Sequence, residues 1–399
     1  MNPNLSRLHP YPFEKLARLK ADVVPPKHLD AISLGIGEPK HPSPEFVKRV
    51  IADNLDRLAN YPTTGGMPEL RQAIADWATR RFRLNPGTLK ADGNVVPVNG
   101  TREGIFSFVQ AAVDNTRPAT VVSPNPFYQI YEGAALLASA TPYYLPCDAG
   151  NGFIPDFAAV PDDVWRDCQI LFLCSPGNPS GAVIPRDTLK QVIELADRHD
   201  FIIASDECYS ELYPDEANPP EGLLQTCAAM GRDDYARCVV FHSLSKRSNL
   251  PGLRSGFVAG DASILKDYLR YRTYHGCAMP IHNQLASIAA WQDEDHVKEN
   301  RAAYRAKFEA VVPILQQVMN VDFPGAGFYL WPETPMSDET FARDLSAQQN
   351  VHVLPGRYLS RSVHGDNPGE NRVRMALVAP LEECVEAAER IVRFLQEQD

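Results

Sequence analysis

The sequence predicts an α/β protein: a large domain with a mostly parallel central sheet sandwiched by helices, and a smaller α/β domain. Three observations carry this expectation. Short apolar runs alternate with helix-period segments through the middle of the chain. The C-terminal third changes to long helices with brief strands, and 399 residues suffice for two such units. The expected division is 1–45 as an arm and part of the small domain, 46–285 as the large domain, and 286–399 as the small domain.

In chain order, residues 1–30 carry five prolines and read as an arm with a short helix. Candidate strands follow at 95–98, 119–122, 170–174, 201–204, 238–241 and 256–259, each a short apolar run rich in β-branched or aromatic residues. Between them lie helical patterns, as at 186–199, where Leu189, Val192, Ile193 and Ala196 recur at helical spacing. A long helix, broken once, is expected over 279–317. Strands at 321–324, 327–331, 351–354 and 373–377 and an amphipathic helix at 381–396 complete the chain.

Composition excludes several classes. With 44% apolar and 22% charged residues, the chain is an ordinary globular protein. Its net charge of −11 argues against nucleic acid and anionic membranes as partners. No apolar run approaches a membrane span, and the first residues lack the apolar core of a signal peptide. Eight scattered cysteines without CxxC spacing read as small buried hydrophobes in a reducing cytoplasm, and ten histidines without an HExxH pair argue against a metal.

The functional signal is where the polar residues fall. Ligands of open α/β sheets bind beyond the carboxyl ends of the strands, and five candidate strands end in chemically pointed residues. Asn99-Gly100-Thr101-Arg102 opens a helix, where free N–H groups and a glycine make an anion seat. Next come Phe127-Tyr128, an aromatic suited to a flat ring, then Asn178 in a Pro/Gly turn, then Asp206 with Tyr209. Last is the Ser243-x-Ser-Lys246 turn, with Arg254 eight residues further on. A lysine at the mouth of a buried strand is partly desolvated, which lowers its pKa and makes it nucleophilic. Ser243 and the planar fork of Arg254 suit a phosphate.

In order and spacing these segments resemble those of the class I/II, fold-type I aminotransferases, which use pyridoxal 5′-phosphate (PLP). The resemblance covers almost the whole chain. It implies that Lys246 carries the cofactor and moves protons, that Asp206 faces the pyridine nitrogen, and that Tyr128 stacks on the ring. It further implies that Asn178 and Tyr209 bond the phenolic oxygen, and that Gly100, Thr101, Arg102, Ser243 and Arg254 cage the phosphate. Asn60-Tyr61-Pro-Thr-Thr-Gly-Gly is similar to the segment whose tyrosine reaches across a homodimer to the partner's cofactor. Gly37, in Leu34-Gly-Ile-Gly-Glu-Pro, would approach the substrate carboxylate, and Arg374 would grip it, with Arg372 as the fallback in the alternating Arg-Val-Arg.

The opening Met-Asn-Pro-Asn-Leu-Ser-Arg and the Leu-Gly-Ile-Gly-Glu-Pro-Lys-His-Pro stretch resemble the bacterial N-succinyldiaminopimelate aminotransferases. That resemblance implies small dicarboxylic amino acid and keto acid substrates, with glutamate as donor. Arg102, Arg357 and His275 are then candidates for reading distal carboxylates. Aspartate, alanine or N-acetylornithine specificity, a PLP β-lyase, and a ligand sensor on the same fold are the alternatives. The sensor would need a lost lysine or an appended DNA-binding segment, and neither is present.

Overall fold

The computed structural model describes residues 1–397. Its strands are β1 (Ile32–Ser33), β2 (Val95–Val98), β3 (Thr120–Asn125), β4 (Thr141–Pro146), β5 (Cys168–Cys174), β6 (Ile202–Asp206), β7 (Cys238–Ser243), β8 (Gly256–Gly260), β9 (Tyr329–Leu330), β10 (Val351–His352), β11 (Leu354–Pro355) and β12 (Val373–Ala376). Seven of them form one sheet in the order β2-β8-β7-β6-β5-β3-β4. Every neighbouring pair is parallel except those made by β8, which runs antiparallel to both β2 and β7. β2 therefore runs with β7, and the carboxyl ends of six strands lie along one edge.

The sheet interior explains its sequence. β5 is buried along its length except at Cys174, because helices cover both faces. Leu171 and Phe172 are fully buried, and each such side chain contributes about 1.5–3 kcal/mol. The helix Arg186–His199 packs Leu189, Val192, Ile193 and Ala196 inward and ends at Asp200, which adopts φ 58°. Five of the eight cysteines, Cys147, Cys168, Cys227, Cys238 and Cys384, are buried and none is disulfide-bonded.

A second core gathers Leu34, Val311, Phe341, Val351, Met375 and Ile391 around the antiparallel sheet β11-β12-β9 and the parallel pair β1-β10. The long helix is indeed broken once, into Ile281–Gln292 and Asp295–Leu315.

Two expectations differ. Thr141–Pro146 is a strand that the sequence reading passed over; it carries two prolines, which its place at the sheet edge accommodates. Residues 321–324 form no strand. The chain just beyond them bonds to loops of the large sheet, Ala326 N to Gly181 O at 3.1 Å and Gly327 N to Leu212 O at 2.6 Å, rather than to a ladder. No helix among the described residues is long and apolar enough to cross a membrane.

Candidate active site

Register along the sheet edge brings the strand-end residues together. Cys174 at the end of β5 pairs with Asp206 at the end of β6, which pairs with Phe241 of β7. Ser243, closing β7, pairs with Gly256, which in turn pairs with Val98, closing β2. Beyond this edge lies a cleft of about 580 Å³ bordered by Gly37, Thr101, Arg102, Tyr128, Asn178, Asp206, Tyr209, Ser243, Lys246, Arg254 and Arg374. Of the residues assigned to the cofactor and the substrate α-carboxylate, Gly100 and Tyr61 lie outside its lining, and Gly100 directly precedes Thr101 in the chain.

Lys246 lies in a single helical turn from Leu244 to Arg247, capped by the Ser243 hydroxyl accepting from Ser245 N at 3.0 Å. Its Nζ donates to Gly37 O at 2.5 Å and stands 5.1 Å from the Phe328 ring centroid. Burial lowers its pKa to about 8, assisted by the positive charges of Arg374 and Arg102 and opposed by Cys208 and Glu38.

Asp206 is buried, and burial pushes its carboxyl above the usual range. Its donors are Tyr131 Oη at 2.8 Å and the Cys208 amide at 3.3 Å, neither of them a cation. The Tyr131 ring is itself fixed by stacking on Phe172, 4.4 Å between centroids. A buried carboxylate held this way gains most from a cationic partner inside the cleft.

Gly100 has φ 82°, and a Cβ there would lie 2.4 Å from Arg254 Nη2. Only glycine lets the guanidinium close over the start of the helix Thr101–Ala112. Arg254 donates Nη1 to Pro251 O at 2.9 Å, and its fork is otherwise open to the cleft. Unengaged amides at the helix start, Ser243 and a free guanidinium are the donor set for a phosphate.

On the opposite wall Arg374 is buried, donating to Asn178 Oδ1 at 3.0 Å and to Gly35 O at 2.9 Å, while its Nε has no partner among the described residues. Its guanidinium lies 4.5 Å from the Tyr329 ring centroid. Arg372, one alternation away, turns to Trp331 O and Glu333 and away from the cleft. Tyr209 Oη is bonded to Tyr329 Oη at 2.9 Å, and burial holds the Tyr209 phenol protonated. Tyr329 also abuts Gly37, where a Cβ would fall 2.0 Å from the phenol oxygen.

Two distal candidates are not in this cleft. Arg357 is held by Asp338, Glu339 and Glu370, and His275 lies beside Cys277 and Glu103 on a neighbouring surface. Arg102 does face the cleft, donating Nε to Tyr128 Oη at 2.6 Å and Nη2 to Tyr11 Oη at 3.3 Å. Tyr61 is fully exposed. Sequence reasoning missed Tyr11, Tyr131, Ser245 and Tyr329. Ser245 was signalled by its place beside Lys246, whereas the tyrosines look like ordinary core aromatics.

An α/β sheet edge that joins a depressed-pKa lysine, a buried carboxylate, a phosphate-type donor set and a carboxylate-type arginine defines a PLP-dependent enzyme class. Comparison with known proteins agrees. The family model for class I and II aminotransferases matches residues 30–391, so the chain belongs to that family, whose members use PLP. An aminotransferase from Neisseria meningitidis superposes with a TM-score of 0.95 at 50% identity, covering 99% of this chain and 100% of that one. A probable N-succinyldiaminopimelate aminotransferase from Thermus thermophilus superposes at 0.85 with 26% identity, covering 96% and 100%. An LL-diaminopimelate aminotransferase of Desulforudis audaxviator is 33% identical over 97% of this chain and 96% of its own length.

Proposed function

We propose that the chain transfers the amino group of L-glutamate to N-succinyl-2-amino-6-oxopimelate, giving N-succinyl-LL-2,6-diaminopimelate and 2-oxoglutarate, in the cytoplasm. The observation that carries this reading is a surplus of guanidinium groups. Arg102, Arg254 and Arg374 all border the cleft, and among the described residues their bonds go to phenols, carbonyls and one amide, with no carboxylate. One fork suits the cofactor phosphate, one the substrate α-carboxylate, and one remains for a distal carboxylate. The Thermus relative's name supports the same substrate.

When bound, PLP supplies an electron sink for negative charge at the substrate α-carbon. The chain's own groups supply the rest. Lys246 holds the cofactor through its amine, which at a pKa of about 8 is readily available as the neutral nucleophile. The same amine, once free, would carry the proton between the substrate α-carbon and the cofactor's C4′, as general base and then as general acid. Asp206 would keep the ring nitrogen protonated, Tyr128 would cover the ring, and Asn178 with Tyr209 would donate to the phenolic oxygen. The backbone amides of Gly100, Thr101 and Arg102, with Ser243 and the Arg254 fork, would hold the phosphate, which leaves the Arg102 guanidinium for the distal carboxylate. Arg374 and the Gly37 loop orient the α-carboxylate. Tyr61 acts on the partner subunit's site in a homodimer.

A second reading is favoured by the curated relatives' name: unblocked LL-diaminopimelate as the substrate. The experiment runs the reaction backwards with 2-oxoglutarate and compares N-succinyl-LL-diaminopimelate with LL-diaminopimelate by kcat/KM. Preference for the succinylated compound is the expected result. Preference for the free one selects the second reading, and glutamate formation from neither sinks both. Lys246→Ala is expected to bind PLP non-covalently and to lose turnover by orders of magnitude. Borohydride reduction that still fixes the cofactor to that variant would sink the lysine assignment.

A further inference from the structure

We propose that Glu103, His275 and Cys277 form a binding site for a zinc-class divalent cation beside the phosphate end of the cleft. It is independent of the substrate reading above. The Cys277 thiol lies 2.9 Å from His275 Nδ1, that nitrogen lies 3.8 Å from Glu103 Oε1, and all three ligand atoms fall within 4.8 Å of one another. Around a tetrahedral zinc with bonds of about 2.0–2.3 Å, ligand atoms stand roughly 3.3–3.7 Å apart. Small side-chain adjustments therefore suffice.

The three residues come from two separate pieces of chain, locked together by other groups. Glu103 is in the first turn of the helix Thr101–Ala112, and His275 ends the helix Ala262–His275. Gly276, at φ 78°, turns the chain so that Cys277 doubles back. The Cys277 carbonyl accepts from Asn99 Nδ2 at 3.1 Å and Arg272 Nη2 at 3.0 Å, while Asn99 N donates to Glu103 Oε2 at 3.0 Å. Outer contacts of this kind orient ligands before the ion arrives.

Donor chemistry selects the ion. A thiolate and an imidazole favour zinc over magnesium or calcium, and the carboxylate is compatible with it. His275 and Cys277 are partly accessible on an open surface, leaving room for a water as fourth ligand. Binding releases the Cys277 thiol proton to solvent, and Nδ1 ligates while the imidazole proton stays on Nε2. Two groups oppose the ion: Arg272 donates Nη1 to Glu103 Oε1 at 2.6 Å, and Ser107 donates to the same oxygen at 3.0 Å. Their competition makes the site weaker than a closed structural one.

The consequence is positional. Asn99 precedes Gly100 directly, so an ion here would clamp the 275–277 turn onto the helix start that forms the candidate phosphate seat. The test is equilibrium dialysis of the PLP-loaded protein against micromolar free zinc, with metal content measured elementally. One zinc per chain is expected, with affinity reduced at least tenfold in Cys277→Ser and in His275→Ala and unchanged in His364→Ala. Less than half an equivalent bound to the unaltered protein would overturn the proposal. Equal affinity in all three variants would do the same, because it would mean that zinc sits elsewhere.

Discussion

Arg374 Nη1 donates to Asn178 Oδ1 at 3.0 Å across 196 residues of sequence, tying β12 of the small sheet to the loop that follows β5. This bond orients the guanidinium and leaves Nε buried without a partner among the described residues, so that an anion in the cleft would satisfy it. Arg374→Lys keeps the charge but removes the planar fork. The expected outcome is a fall in kcat/KM for glutamate of roughly 10²-fold, about 2.7 kcal/mol, with PLP affinity unchanged. Arg372→Ala, which loses contacts to Trp331, Glu333 and the Phe153 ring, all outside the cleft lining, is expected to stay within a few-fold of the parent. Steady-state kinetics on the two variants decides, and equal losses would reverse the assignment.

Lys246 carries a stability prediction with a definite sign. Burial lowers its pKa to about 8 from an ordinary 10.5, so between those values the unfolded chain binds a proton that the folded chain does not. Stability of the cofactor-free protein therefore rises with pH across that window, and below about pH 8 the buried ammonium is a liability. Lys246→Met removes the charge. It is expected to raise the unfolding free energy of the apoprotein by about 2–3 kcal/mol at pH 7, with the advantage fading toward pH 10.5. Denaturant unfolding of both apoproteins across pH 7–10.5 measures the difference, and an advantage that grows with pH contradicts the mechanism.

Gly100 is the narrowest point of the candidate phosphate seat. A Cβ there meets Arg254 Nη2 at 2.4 Å and forces a left-handed backbone that costs roughly 1–2 kcal/mol for other residues. Gly100→Ala is expected to push Arg254 outward and weaken PLP binding at least tenfold, while the helix behind it remains folded. Fluorescence titration of the apoprotein with PLP reads the affinity, and far-ultraviolet circular dichroism reads the fold. Undiminished PLP affinity would mean that Arg254 does not need this approach.

Much of this architecture was legible because burial on both sheet faces forces unbroken apolar runs. The segments around Leu171, Ile203 and Val240 could be little else, and the residues that close them, Asp206 and Lys246, stand out by contrast. Legibility failed where burial is one-sided or absent. The edge strand with Tyr143 and Tyr144 has prolines at two of its six positions and no apolar run. Residues 321–324 have strand composition, but the chain beyond them is claimed by the Gly181 and Leu212 carbonyls. The choice between Arg372 and Arg374 turns on which face of β12 meets the cleft, which alternation in sequence leaves open. Tyr131 and Tyr329 read as core because their rings are core; only their hydroxyls, on Asp206 and Tyr209, belong to the site.

Tyr61 poses the remaining geometric question, since a fully exposed tyrosine contributes nothing to its own chain's cleft. If it completes the partner's site, two defective variants should complement one another. In a two-fold dimer mixed from Lys246→Ala and Tyr61→Ala chains, both lesions fall on one site and the other site is intact. Random reassociation makes half the dimers hybrids, so about a quarter of the parental activity is expected to return from two crippled preparations. A tyrosine acting within its own subunit would leave every hybrid site damaged, and mixing would restore nothing. Unfolding and refolding the variants together, then assaying glutamate-dependent turnover against each variant treated alone, separates the two outcomes.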